Sequence, residues 1–270
     1  MINNIIEMFS FSFMIRAFVV GILISLCASL IGVSLVLRRY SMIGDGLSHV
    51  GFGTFALALV IGISPYKFAI PIVILVSFLI LRINENKRIH GDSLIALVSA
   101  SSLAIGTFVI SIVKGVNVDI NTYLFGSILS IDNSDIIISV ILSIFIISLY
   151  IISYNKIFSI TFDENFSKSI GINVNLYNMI FSILCSIVVV LGMRLMGSLL
   201  ISSLIIFPTL SSMQLFKKFK TVVISSVFVS ILSFIIGLIL SYFIQTPTGS
   251  TIVIINLLVF IIFKIISYFK

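Results

Sequence analysis

Charged residues are scarce in this sequence: 9% of its 270 residues are Asp, Glu, Lys or Arg, whereas 60% are hydrophobic. A soluble domain carries about 25% charged residues, so the mean hydropathy of +1.32 excludes that class. Apolar runs of about 20 residues recur along the chain, which is the length of a helix that crosses a hydrocarbon layer about 30 Å thick. We predict an all-α polytopic membrane protein, with residues 1–270 forming a single transmembrane domain.

Cysteine is also scarce, since Cys27 and Cys185 are the only two and both lie inside apolar runs. Such a pair offers neither a disulfide framework nor the spacing of a zinc site, so we expect packing roles for both. The sequence lacks a Gly-rich phosphate-binding loop, a nucleophile elbow and a zinc-protease motif. The chain therefore has no visible means of using ATP by itself, and we expect it to bind no cofactor.

The apolar runs predict eight or nine transmembrane helices. The sixth and seventh runs are separated only by the weak break MRLMGS, which leaves the count open. The runs cover residues 13–37, 43–62, 66–81, 93–113, 134–153, 176–195, 198–216, 221–244 and 249–267.

The net charge of +7 arises from bases in short segments between the apolar runs, not from one basic patch. Basic loops mark the cytoplasmic side of a membrane protein, so these bases indicate topology and argue against nucleic acid binding. Nine spans, with the N-terminus outside and the C-terminus in the cytoplasm, place every basic loop inside. Eight spans misplace one basic loop unless a run is re-entrant.

The second apolar run begins with two ionisable side chains, Asp45 and His49, in RRYSMIGDGLSHVGFG. Ionisable groups are costly inside a bilayer and indicate a functional site. The i, i+4 spacing places both on one helix face, where a carboxylate and an imidazole suit Mn²⁺, Fe²⁺ or Zn²⁺. We count Asp45 as the only acid inside an apolar run and His49 as the only histidine there.

Two ligands are too few for a selective metal site, so we expect a two-fold dimer that apposes this face to supply four. The small residues around the pair permit close helix packing. The alternative is an internal ion pair that only fixes the helix.

The segment 154–177, YNKIFSITFDENFSKSIGINVNLY, is the one substantial polar stretch on the predicted cytoplasmic side. Its apolar residues recur at helical spacing, which predicts a short amphipathic helix over about 162–172 at the inner surface. We expect Thr161 to cap the start of this helix and Gly171 to end it in the left-handed conformation. The apolar face would consist of Phe162, Phe166 and Ile170.

Three further features have structural interpretations. Arg194 is expected to extend towards the external interface from a helix end, whereas a deeper position would require a partner. The neighbouring Met193 and Met196 are expected to fill space. Pro208 inside the seventh run predicts a kink, either in a gating element or in a packing helix. The stretch QTPTGSTIV predicts a helix start, with a threonine cap at 246 and proline at the first helical position, 247.

Five motifs, in this order, resemble the membrane-spanning permease of bacterial ABC importers for zinc, manganese or iron. They are RRYSMIGDGLSHVGFG, VDINTYLFGSIL, FDENFSKSIGI, GMRLMGSLLISSLIIFPTLSS and TPTGSTIVI. The match runs from about residue 14 to about residue 265. The resemblance implies a fold similar to that of the cobalamin and siderophore importer permeases.

The resemblance also implies the assembly and its substrate. Such permeases are homodimers in the bacterial cytoplasmic membrane that carry two cytoplasmic ATPase subunits. An external solute-binding protein, expected to dock over residues 118–133 and 245–248, delivers the metal. The implied function is inward transport of Zn²⁺ or Mn²⁺, with Fe²⁺ as a further candidate. The chain is then a transport subunit and not an enzyme.

Residue roles follow from the same resemblance. Asp45 and His49 match the residues of the second helix that are expected to contact the metal. The segment 163–172 matches the coupling helix that sits in a cleft on the ATPase, and the segment 199–212 matches a Pro-containing helix near the pathway. The implied coupling residues are Asp163, Glu164, Phe166, Ser169 and Gly171, and the implied pathway or gate residues are Ser202, Ser203, Pro208 and Ser211. Gly46 and the stretch FPTLSS depart from the family pattern without removing a ligand.

Two other classes of function stay open from the residues alone. An ATP-independent secondary metal transporter or channel would carry metal in vesicles that hold only this chain. An intramembrane enzyme would use Asp45 and His49 as acid and base, although no nucleophile accompanies them. The ligand types do not choose between zinc and manganese.

Overall fold

The computed structural model describes residues 7–84, 91–112, 126 and 131–269. Nine helices within these residues are long and apolar enough to cross a membrane, which agrees with the larger of the two predicted counts. They are α1 (Ser12–Leu37), α2 (Ile43–Ile61), α3 (Pro65–Asn84), α4 (Gly91–Ile112), α5 (Asn133–Phe162), α7 (Val174–Met196), α8 (Ser198–Leu215), α9 (Phe219–Ile244) and α10 (Thr248–Tyr268). The short helix α6 (Glu164–Ser169) lies between α5 and α7.

Gly197 separates the sixth and seventh spans. Its φ of 89° and ψ of 156° lie in a region that is open essentially only to glycine. Gly192 packs directly against the side chain of Ile201 on the other side of this break. The two helices therefore fold back on each other as a hairpin, and the apparently weak break in MRLMGS is a complete reversal of the chain.

Replacing Gly197 with alanine should destabilise the protein by about 1–3 kcal/mol, because a Cβ strains this backbone conformation. Gly62 is the matched control: its φ is 75° and its ψ is 23°, and a Cβ there would meet no neighbouring atom within 4 Å. Alanine at Gly62 should cost only about 1 kcal/mol. Thermal unfolding in detergent measures both changes, and an equal loss at the two positions would contradict this account.

Helix α2 lies inside the helical bundle and contacts α3, α4, α7 and α8. Its glycines allow this close approach, because each lies where a Cβ would press on a neighbouring helix. Gly46 and Gly53 face Ile95 and Ser102 of α4. Small residues are the usual means of bringing helices together in a bilayer, where apolar surface alone gives no preference for protein over lipid. The prediction of close packing around α2 is confirmed.

The short helix before α7 begins later than expected. Helix α5 continues to Phe162, so Thr161 lies inside α5 and donates to the carbonyl of Ile157 instead of capping a new helix. Asp163 is the N-cap of α6 and accepts a hydrogen bond from the backbone N–H of Phe166 at 2.9 Å. The expected span of about 162–172 was therefore too long, because the apolar period runs continuously from the end of one helix into the next.

Two other predicted helix boundaries agree with the structure to within one residue. Gly171 follows α6 with a φ of 81°, as predicted. Pro247 is the N-cap of α10 instead of its first residue, and the hydroxyls of Thr246 and Thr251 are hydrogen-bonded at 2.7 Å. Such shifts are within the usual uncertainty of helix ends.

Candidate metal centre and its surroundings

Asp45 and His49 lie one turn apart in the first half of α2. Their side chains approach to 3.6 Å between Oδ2 of Asp45 and Nε2 of His49. This is longer than a normal N–H···O hydrogen bond of about 2.9 Å. The carboxylate is 39% exposed and the imidazole 15%, whereas the residues between them are largely buried. Both groups are thus partly exposed, and neither is held by a short hydrogen bond to the other, so lone pairs of both can meet a ligand.

The described residues of one chain offer two candidate ligands at this place. Among residues 7–84, 91–112, 126 and 131–269, no group of three or more His, Cys, Asp or Glu side chains is arranged to hold a metal ion. The chain's other histidine, His90, and its neighbour Arg88 lie outside that range. Zinc sites in proteins use three or four ligands, so this pair leaves room for further ligands beyond those that the described residues offer.

Ser202 is the predicted pathway residue that the fold brings to this region. Gly44, directly before Asp45, packs against Ser202 and Ile205 of α8. The Ser202 hydroxyl donates to the carbonyl of Ser198 at 3.0 Å, and its side chain is half-buried. A hydroxyl with an accepting lone pair therefore lies on the helix that packs against Gly44, the residue before Asp45.

The other three predicted pathway residues make contacts elsewhere within the bundle. Ser203 accepts a hydrogen bond from the amide of Asn256 on α10 at 3.0 Å, and the carbonyl of Pro208 accepts from Ser226 on α9 at 3.3 Å. Ser211 is buried on the same helix. These contacts tie α8 to α9 and α10. Asn256 was missed in the sequence, although an amide inside the last apolar run is a clear signal of a polar contact between helices.

The predicted coupling segment, α6 with Ile170 and Gly171, presents an exposed apolar surface on a buried base. Phe166 and Ile170 are 57% and 55% exposed, whereas Ser167 is fully buried and its hydroxyl lies 2.8 Å from that of Ser159 on α5. Glu164 and Lys168 form a salt bridge at 3.5 Å along the helix. The segment is therefore anchored to α5 by its polar side and exposes its apolar side.

Arg194 has an acidic partner, which the sequence interpretation expected only for a position deeper in the membrane. Its Nη1 lies 3.1 Å from Oδ1 of Asp135, the third residue of α5, which is only 3% exposed. The guanidinium also lies 4.3 Å from the centre of the Tyr66 ring. Asp135 is the second residue of the fifth apolar run, so Asp45 is not the only acid inside such a run. Counting acids along the sequence missed it because it stands at the run's edge.

The turn after Arg194 lies deep within the fold. Met193 places its thioether against Gly51 in the middle of α2, and Gly126 lies directly over the backbone of Met196. Both methionines are buried and fill space, as expected. Of the expected external docking region at 118–133, only Gly126 and 131–133 belong to the described residues. The expectation for the remaining part lies outside them.

The whole chain matches known transport proteins. Residues 10–267 match the family model described as the ABC 3 transport family. The chain is 30% identical to the manganese import system permease protein ScaB of Streptococcus gordonii, over 97% of this chain and 94% of that protein. It is 29% identical to the high-affinity zinc uptake system membrane protein ZnuB of Haemophilus influenzae, over 93% of this chain and 97% of that one.

The fold matches a solved structure as well. The chain superimposes with a TM-score of 0.86 and 28% identity on a chain of PsaBC from Streptococcus pneumoniae, solved in complex with Fab, and the match covers 97% of this chain and 95% of that one. The resemblance inferred from the five motifs is confirmed. The chain belongs to the ABC 3 transport family, as a transmembrane permease subunit and not as an enzyme.

Proposed function

We propose that this chain is the permease of an ABC importer that moves Zn²⁺ or Mn²⁺, with Fe²⁺ as a further candidate, into a bacterial cell, and that Asp45 and His49 contact the ion. The observation that carries the proposal is the open carboxylate–imidazole pair on α2 in an otherwise apolar helix. The permeases of similar sequence are named for zinc and for manganese, in line with what this ligand pair accepts.

The ligand count supports a homodimer. A second copy related by a two-fold axis would bring another carboxylate and imidazole to the same site, which gives four candidate ligands instead of two. The ion would exchange part of its hydration shell for these ligands. A site on an interface between two mobile subunits binds the ion without trapping it, since small movements of the subunits change the distances between ligands.

The distribution of bases supports the proposed orientation in the cytoplasmic membrane. Nine alternating spans place the α1–α2, α3–α4 and α8–α9 connections, the end of α5 with α6, and the end of α10 on one side, which is the basic side. Basic loops stay in the cytoplasm. The C-terminus is then cytoplasmic, and the opposite side would receive metal from an external solute-binding protein docked over 118–133 and 245–248.

The position of α6 supports coupling to a separate ATPase. Its exposed apolar residues Phe166 and Ile170 would sit in a cleft of the ATPase, on the basic side of the membrane. A movement of α6 would be passed on to α2 through α7. Helix α6 contacts both α5 and α7, and α7 contacts α2 where Met193 packs against Gly51. ATP-driven closure of two ATPase subunits would move α6 and thereby change access to the Asp45–His49 site.

Transport by the complete complex tests this function and chooses the metal. The permease, reconstituted in liposomes with its ATPase and binding protein, should accumulate Zn²⁺ or Mn²⁺ only when ATP is supplied to the ATPase side. A competition experiment with both ions identifies the preferred one. Accumulation by liposomes that hold the permease alone would contradict the proposal. Uptake should also fall as the pH is lowered, because protons compete with the metal for imidazole and carboxylate.

A further inference from the structure

A buried ionic cluster lies outside the metal site, at the ends of three helices. Asp135 of α5 accepts hydrogen bonds from Arg194 of α7 at 3.1 Å and from the Tyr66 hydroxyl of α3 at 3.4 Å. Its second oxygen accepts from the backbone N–H of Asp132 at 3.2 Å, which completes a capping box. The guanidinium lies over the Tyr66 ring at 4.3 Å from its centre.

This arrangement satisfies a group that would otherwise be very costly. A carboxylate that is 3% exposed in an apolar protein requires both charge compensation and hydrogen bonds, and Asp135 has both. Its partner Arg194 is 39% exposed and keeps access to water. Removing one partner therefore has different consequences for the two residues. Without Arg194, the carboxylate of Asp135 is a buried unpaired charge, whereas without Asp135 the guanidinium of Arg194 is still partly exposed.

The cluster is also connected to the metal helix from two sides. Tyr66 packs edge-on against Phe55 of α2, with ring centres 6.1 Å apart. Met193, the neighbour of Arg194, lies against Gly51 of the same helix. Phe55 is six residues beyond His49, or about 9 Å along the helix axis. Together these contacts hold α2 just beyond the metal pair, on the side away from the basic loops.

We propose that the Asp135–Arg194–Tyr66 cluster is a positioning device that holds α2 in the arrangement that closes the metal path on its external side until the ATPase acts. The proposal rests on the function proposed above. It assigns to Arg194 and Asp135 a role in transport although neither contacts the metal. Loss of the ion pair weakens the attachment of α5 to α3 and α7 at this end of the bundle and lets α2 shift, so that metal enters without ATP.

Metal entry into liposomes without nucleotide tests this role. The reconstituted complex is exposed to external Mn²⁺ with a fluorescent metal indicator inside. Asp135→Asn and Arg194→Gln should each raise ATP-independent entry about tenfold or more, the population change expected when a charge-assisted hydrogen bond is lost. Lys67→Gln removes an exposed charge beside Tyr66 and should leave the complex tight. Choline entry, measured in parallel, should stay unchanged in all of them.

The double variant Asp135→Asn with Arg194→Gln separates positioning from stability. Arg194→Gln should lower the melting temperature most, because it leaves a buried carboxylate unpaired, and the double variant should recover part of that loss. The leak should persist in the double variant, because the attraction between the helices is still absent. Tight single variants, or a leak that disappears together with the stability defect, would overturn the proposal. Failure of the wild-type complex to accumulate metal with ATP would instead contradict the proposed function.

Discussion

Asp45→Asn and His49→Gln are each expected to abolish ATP-driven metal uptake while the complex still assembles. Both changes keep the volume of the side chain but remove a charged or basic candidate ligand from a site for which the described residues of each chain offer two. Loss of an outer-shell partner alone costs about 10- to 100-fold in metal affinity, so loss of a direct ligand should cost at least as much. Uptake by the reconstituted complex and metal binding in detergent measure the two effects.

The chain offers matched controls for both substitutions. His90→Gln makes the same change at the chain's other histidine, and Glu7→Gln neutralises an exposed carboxylate. Both should transport at the wild-type rate. Near-normal uptake by Asp45→Asn and His49→Gln would show that the two residues form an internal ion pair that only fixes the helix. A double substitution should add little to either single one, because both act on one site.

Phe166→Asp is expected to eliminate transport by a different route, leaving metal binding intact. Phe166 is 57% exposed on α6, and the proposed interface buries it in an apolar cleft of the ATPase. Placing a carboxylate there costs several kcal/mol, and each 1.4 kcal/mol lowers the affinity between the subunits about tenfold. The ATPase should therefore no longer co-purify with the permease, and ATP-driven uptake should fall to background.

Phe269→Asp is the matched control for that substitution. Phe269 is an exposed aromatic residue directly after α10, on the same basic side, and it lies outside the coupling segment. Its replacement should leave co-purification unchanged. Retention of the ATPase by Phe166→Asp at the wild-type level would exclude α6 as the coupling helix. Loss of the ATPase from both variants would show that the basic side as a whole tolerates no added acid.

The candidate metal ligands Asp45 and His49 could be predicted from the sequence, whereas the ionic cluster could not. Asp45 and His49 stand four residues apart in one helix, so helix geometry alone predicts their shared face. Asp135 and Arg194 are 59 residues apart and lie on different helices. The sequence around Asp135 does not predict that its partner is Arg194, and the reverse is also true. Tyr66, the third member of the cluster, lies on yet another helix. Their pairing follows from how α3, α5 and α7 pack.

The boundaries of the predicted coupling helix also could not be predicted from the sequence, although here the residues are neighbours in the chain. The apolar period through Phe162, Phe166 and Ile170 is real, but it continues the period of α5. The helix ends because Asp163 is extended, with a φ of −149° and a ψ of 103°, and its side chain caps the next turn. Two helices that meet at one capping residue look like a single helix when only the period of apolar residues is considered.

The sequence by itself determined the class of protein, the apolar runs with the basic side they share, the face that carries Asp45 and His49, and the family, but it left the count of spans at eight or nine. These properties follow from the composition and from the spacing of residues within a single helix, which can be seen in a short stretch of sequence. Only the tertiary structure decided that Gly197 reverses the chain, that Ser202 packs against α2 and that Arg194 is neutralised by Asp135. Each of these requires side chains from different helices to meet, and a buried charge takes whichever partner the packing brings within reach.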